Sequence, residues 1–181
     1  YPRIGTTREL KRALESYWAG HSDRQALQNT ASDLRRRHWQ LQREARIDLI
    51  PCNDFSLYDQ MLDMSVLLGN IPTRFQGATT SSETDLRFAI ARGQADAVAG
   101  EMTKWFDTNY HYIVPELRPE TTFAVSSRKP FEEFQEALEM GFVAKPVFVG
   151  PLTYLMLGKG QEAGFDRLDL LDRILSVYGE L

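Results

Sequence analysis

Arg8, Lys11 and Arg12 crowd a predicted helix start, where the partial positive charge of the backbone dipole disfavours cations. The chemistry that would reward this arrangement is capture of an anion. Arg8 and Lys11 stand at i and i+3 on one face, beside first-turn N–H groups that can donate to carboxylates or phosphates. Solvated surface charge accounts for the same residues, since each exposed cation there costs only about 0.3–1 kcal/mol. A second group lies in residues 101–116, EMTKWFDTNYHYIVPE, where Lys104, Asp107, Asn109 and His111 are set among Trp105, Phe106, Tyr110, Tyr112 and Ile113. Stiff aromatic walls with a few amide and ammonium groups suit a binding surface, and equally a loop anchored by its aromatics.

Other chemistries find little support. The single cysteine, Cys52, and the scattered His21, His38 and His111 make no clustered ligand set, so no metal is expected in this chain. No GxSxG is present, and Cys52, which follows a proline at a predicted strand end, is expected to be a buried small hydrophobe. The net charge of -4 argues against nucleic acid, and the run Arg35, Arg36, Arg37, His38 is expected to be a solvated helix face. Nothing reads as a signal peptide or membrane span, which makes the cytoplasm the expected compartment.

The elements that would position these residues follow from apolar spacing. A helix is predicted after Thr7 as N-cap, with Leu10, Ala13, Leu14, Tyr17 and Trp18 on one face and Gly20 past its end. A second starts at Ser22, with Gln25 completing a capping box, and carries Leu27, Ala31, Leu34, Leu41 and Ala45. Residues 47–52 read as a buried strand, and residues 54–68 as a helix striped by Leu57, Met61, Met64 and Leu68. Residues 69–100 are polar and irregular, with a mobile excursion expected at 76–85. Strands at 121–126 and 145–149 flank a helix around Phe131, Phe134 and Leu138 that ends at Gly141. This alternation predicts parallel α/β structure, either an open sheet or a β/α barrel. The absence of GxGxxG and GxxxxGKS/T lowers the expectation of a nucleotide-binding sheet.

Read together, YPRIGTTRELKRALESYWAG, DLIPCNDFSLYDQMLDMSVLLG, EMTKWFDTNYHYIVPEL and KPVFVGPLTYLMLGKG resemble cobalamin-independent methionine synthases, in the family's order and over essentially the whole chain. The resemblance implies a partial β/α barrel of the TIM type, roughly its first four strand and helix units, with residues 1–181 forming an incomplete N-terminal barrel domain. It implies an enzyme that moves a methyl group from methyltetrahydropteroyltriglutamate to homocysteine, using zinc and no cobalamin. The zinc ligands and most homocysteine and pterin contacts would lie in a C-terminal barrel absent here, so this piece alone is expected to be inactive. There zinc would lower the pKa of the homocysteine thiol.

What carries over is a share of the folate site. The family's Arg-Glu-Leu-Lys stretch matches Arg8, Glu9, Leu10 and Lys11, and its MTKWF-TN motif matches Lys104 and Asn109. Their implied task is to hold the triglutamate tail, a flexible polyanion. Two rivals stand beside this assignment: a non-catalytic anion-binding module on the same fold, and a related barrel such as a uroporphyrinogen decarboxylase, whose acidic substrate would suit Arg3 and Arg8. The chain begins at Tyr1 without methionine and stops inside an apolar pattern, which reads as cut ends. A barrel stopped after four units is expected to relieve its open edges by self-association.

Overall fold

A computed structural model describes residues 3–77 and 80–181. Among them the order is α1 (Glu9–Trp18), α2 (Arg24–Glu44), β1 (Ile50–Cys52), α3 (Gln60–Leu67), α4 (Glu83–Arg92), β2 (Met102–Lys104), β3 (His111–Ile113), β4 (Glu116–Leu117), α5 (Lys129–Glu139), β5 (Ala144–Pro146), α6 (Pro151–Leu157), β6 (Lys159–Gly160) and α7 (Leu171–Tyr178). The mixed α/β class agrees with the sequence. The sheets are three two-stranded pairs, β1–β5 and β4–β6 parallel and β2–β3 antiparallel, and none closes into a barrel among the described residues. The chain divides into two compact units. One runs to Leu57 and resumes over Lys129–Val147, and the other comprises Tyr58–Arg128 and Phe148–Leu181.

In the first unit, α1 forms because Leu10 and Leu14, one turn apart, are both buried. Its cap is not Thr7. Arg8 fills that position in the left-handed conformation, φ 65°, without a side-chain cap bond. For α2 the cap is Asp23, whose carboxylate accepts from Ala26 N at 2.8 Å. The expected Ser22 capping box does not form, because Gln25 reaches forward to Asn29 instead. The inner face of α2 carries Leu27, Ala31, Leu34 and Trp39, and Trp39 packs with Ile50, Cys52, Ala137 and Phe142. Ile50 stands opposite Ala144, and Cys52 opposite Pro146.

Both strands of this unit are shorter than expected. Ile47 N donates back to Gln42 O and closes α2, leaving Ile47 and Leu49 exposed. The strand predicted at 145–149 shrinks to β5, although Val147 N still donates to Cys52 O. The basic run divides by chemistry. Arg36 and Arg37 lie at the surface, whereas Arg35 bonds Glu136 at 2.6 Å and lies over the Phe55 ring, and His38 is buried. Cys52 is buried as expected, and burial, before the nearby Glu133 and Asp54, pushes its thiol up to about 11. Native protein at pH 8 is therefore expected to resist a disulfide reagent that labels the thiol promptly in denaturant. Equal labelling rates in the two conditions would show that Cys52 is accessible.

In the second unit, α3 starts at Asp59 and ends before Gly69, which takes φ +69° to turn the chain. Residues 121–126 form no strand. Ala124 N and Ser126 N donate instead to Leu68 O and Leu67 O, capping the end of α3. The main core gathers Met61, Leu68, Tyr112, Leu117, Tyr154 and Ile174. The stretch 69–100 is not irregular throughout, since it contains α4, capped by Ser82 Oγ accepting from Asp85 N at 3.1 Å. Within 76–85, Glu83, Thr84 and Asp85 form the first turn of α4, while Ala78 and Thr79 lie outside the described residues. No helix among the described residues is long and apolar enough to cross a membrane.

Candidate functional site

The implied folate residues fall in both units. In the first, Arg8 and Lys11 are exposed at the start of α1, Lys11 pairing with Glu15 one turn on. A left-handed arginine costs about 1–2 kcal/mol, and it occurs here at a position proposed to bind a ligand. The neighbouring Arg12 donates to Thr7 Oγ1 at 3.1 Å. Fewer first-turn N–H groups are open than the sequence suggests. Leu10 N donates to Ile4 O at 3.1 Å, so that donor is already taken.

Glu9 and Leu10 therefore differ in kind from their neighbours. The Glu9 carboxylate accepts from Arg37 Nη2 and Thr7 N, each at 2.9 Å. Its own backbone N–H first, then Arg37, lower its carboxyl to about 2. These bonds tie the chain entering α1 to α2. Leu10 has no exposed side-chain surface, and its place is the core.

In the second unit, Lys104 and Asn109 belong to the β2–β3 hairpin. Lys104 ends β2 opposite His111, and Asn109 precedes β3, its carbonyl 2.9 Å from His111 Nδ1. The turn is fastened by Trp105 N donating to Tyr110 O at 2.7 Å and by Thr108 Oγ1 donating to Trp105 O at 2.6 Å. The ring of Trp105 meets Phe106, Tyr110 and Tyr112 edge to face, with centroids 5.5, 6.4 and 5.9 Å away. Phe106 is left-handed, φ 49°, and about two-thirds exposed. The hairpin thus combines an anchored aromatic cluster with an exposed ammonium, an amide and an imidazole.

Two residues that hold this hairpin escape the sequence-based expectations. Arg74 donates to Glu116 through both terminal nitrogens, at 2.8 and 2.6 Å, and to Val98 O at 2.8 Å, anchoring the segment that leads into β2. It sits in the stretch expected to be irregular. Asp59, fully buried, accepts from Met61 N, Leu62 N and Ile113 N at 2.8, 2.9 and 3.1 Å. Burial pushes its carboxyl up to about 7, against the pull of those N–H groups and with a further push from Asp63. An aspartate just before an apolar helix is a readable cap signal, but its bond to residue 113 has no local signature.

Each unit by itself presents exposed cationic groups, Arg8 and Lys11 in the first and Lys104 in the second. Among the described residues, no set of three or more His, Cys, Asp and Glu side chains is placed to hold a metal ion.

The chain matches the family described as cobalamin-independent synthase, N-terminal domain, over residues 1–181. It is 55% identical over 181 residues to the 5-methyltetrahydropteroyltriglutamate–homocysteine methyltransferase of Nitrosomonas europaea. Identity to the proteins of that name is 54% over 185 residues in Xylella fastidiosa strain M23 and 53% over 184 residues in Streptomyces avermitilis. Each alignment takes in 100% of this chain and 24% of the relative, so the chain spans about a quarter of the length of the curated relatives it matches.

Proposed function

The chain belongs to the cobalamin-independent synthase family, and on that premise we propose that it forms the N-terminal part of an enzyme transferring a methyl group from methyltetrahydropteroyltriglutamate to homocysteine. Its share of the work is to hold the triglutamate tail. The observation that carries this proposal is the family match along the whole chain. The exposed cations Arg8, Lys11 and Lys104 support it, since flexible ammonium and planar guanidinium groups suit a chain of carboxylates. Asn109 adds an uncharged donor and acceptor on the same hairpin as Lys104.

The same proposal takes the chain as part of an N-terminal β/α barrel domain, a reading that the parallel strand pairing within each unit supports. The zinc chemistry, activation of the homocysteine thiol, is assigned to residues outside this chain, and so the segment by itself is inactive. No cobalamin is needed. Association with a second copy of the segment through the outer edges of β1 and β5 belongs to the same proposal.

Lys11→Ala and Lys104→Ala, each made in the full-length enzyme, are expected to raise KM for methyltetrahydropteroyltriglutamate. An exposed carboxylate losing its partner costs on the order of 1 kcal/mol, about fivefold. The monoglutamate substrate lacks the extended tail and should be affected less. Steady-state kinetics with both substrates decide between tail capture and general damage: equal losses would remove the tail from the account.

A further inference from the structure

We propose that Asp59 is the positioning residue of the β2–β3 hairpin, setting where that hairpin, and Lys104 with it, rests against the start of α3. The proposal deepens the polyglutamate assignment and depends on it for the role of Lys104.

The placement of β2 is inherited. Met102, Thr103 and Lys104 are all exposed, so no side chain of this strand enters a core. β2 is located by its ladder to β3, Met102 opposite Ile113 and Lys104 opposite His111, and by Val114 N donating to Glu101 O at 2.8 Å. Whatever fixes β3 therefore fixes Lys104. β3 buries Tyr112 and Ile113, but apolar packing is non-directional and tolerates sliding better than a hydrogen bond does. Tyr112 Oη ties β3 to Leu157 O at 3.0 Å, and the directional tie between β3 and the start of α3 is Asp59. Its Oδ1 takes the N–H groups of Met61 and Leu62, and its Oδ2 takes that of Ile113. Tyr110 Oη accepts from Gln60 N at 3.1 Å, so three consecutive first-turn donors of α3 are met by Asp59 and by the hairpin itself. Gly100 lets the hairpin lie this close, because a Cβ there would stand 2.7 Å from Ile113 Cγ2.

Asp59→Asn separates the two duties. Asparagine is a good helix cap, yet it has one acceptor oxygen and cannot serve both α3 and Ile113; its amide nitrogen would face the Ile113 N–H as a second donor. In the full-length enzyme, amide hydrogen exchange at Trp105 and Ile113 is expected to speed up about tenfold while amides of α7 are unchanged. KM for the triglutamate substrate should rise about fivefold with kcat and the homocysteine KM unmoved. Should the Asp59→Asn variant fail to fold, Tyr110→Phe removes the hydroxyl that accepts from Gln60 N while leaving Asp59 in place, and is expected to give a smaller change confined to the same hairpin. Exchange that stays unchanged in the hairpin, or rises equally in α7, overturns the proposal. So does a loosened hairpin with normal KM in an enzyme where Lys104→Ala raises KM. If Lys104→Ala itself leaves KM unmoved, the polyglutamate assignment has failed, and hairpin-confined exchange still establishes Asp59 as the residue that positions the hairpin.

Discussion

Arg87→Ala is expected to destabilise the protein by about 3–5 kcal/mol, because it leaves a buried carboxylate without its counter-charge. Arg87 Nε donates to Asp63 Oδ1 at 2.8 Å, and Nη2 lies 2.6 Å from Glu83 Oε1, with the Arg87 and Asp63 side chains both less than a tenth exposed. Ser127 Oγ donates to the same Glu83 oxygen at 2.7 Å, so the arginine stands at the centre of a set that joins α3, α4 and the segment before α5. Asp63 also lies near Asp59, and an uncompensated charge there adds repulsion to the cost of burial. Domains of ordinary stability hold about 5–15 kcal/mol in total, so this loss is a large share. The double variant Arg87→Met, Asp63→Leu removes both charges and should lose much less than the two single changes added together. Urea unfolding of the unmodified protein, Arg87→Ala, the two single variants and the double variant decides it; an Arg87→Ala loss below about 1 kcal/mol would mean that water reaches the Asp63 carboxylate.

Trp39→Ala is expected to cost a similar amount, about 3–5 kcal/mol, for a different reason. The indole is 1% exposed, meets the Phe142 ring edge to face at 6.4 Å, and donates from Nε1 to Pro51 O at 3.0 Å. Truncation opens a cavity beneath β1 and leaves the Pro51 carbonyl without that donor. Trp39→Phe retains much of the packing and isolates the hydrogen bond, for which about 1 kcal/mol is expected. Guanidinium unfolding monitored by circular dichroism reads both. Equal losses for alanine and phenylalanine would show that the hydrogen bond, and not the volume, dominates.

The sequence announced α1, α2, α3 and α5 through their apolar spacing, but not α6 or α7, and their faces were less legible still. Phe131, Phe134 and Leu138 announce α5, yet Pro130, Glu133 and Ala137 are its buried residues, while Phe131 and Leu138 are exposed. Glu133 can be buried because Lys129, one turn before it, and Arg35, nearly a hundred positions away in sequence, lie 3.2 and 3.6 Å from its carboxylate. α4 was hidden for the same reason. Its buried face includes Thr84 and Arg87, which no hydrophobic pattern marks as interior. The strand expected at 121–126 failed because short apolar runs do not say where their backbone donors go, and here they go to the end of α3. At the candidate site, spacing singled out Arg8 and Lys11 but gave no sign of the Ile4 carbonyl that takes Leu10 N, nor of the hold of Asp59 on residue 113. Both depend on chain reversals that sequence periodicity does not describe.

The first unit is discontinuous in sequence, with Tyr58–Arg128 standing between its two pieces, and this bears on the order of events as the protein is made. During synthesis α1, α2 and β1 emerge well before β5, the strand that pairs with β1; the Asn53 amide donates to the carbonyl of Val147, 94 positions later. Closing so long a loop carries only a modest equilibrium penalty, since each doubling of length costs about 0.6 kcal/mol. The kinetic burden is greater, because nonlocal pairing slows folding and leaves apolar strands open to other chains meanwhile. Ile50 and Cys52, fully enclosed in the finished fold, wait for β5 to be made before they are covered, and a chaperone that acts on this nascent chain would find an apolar target there.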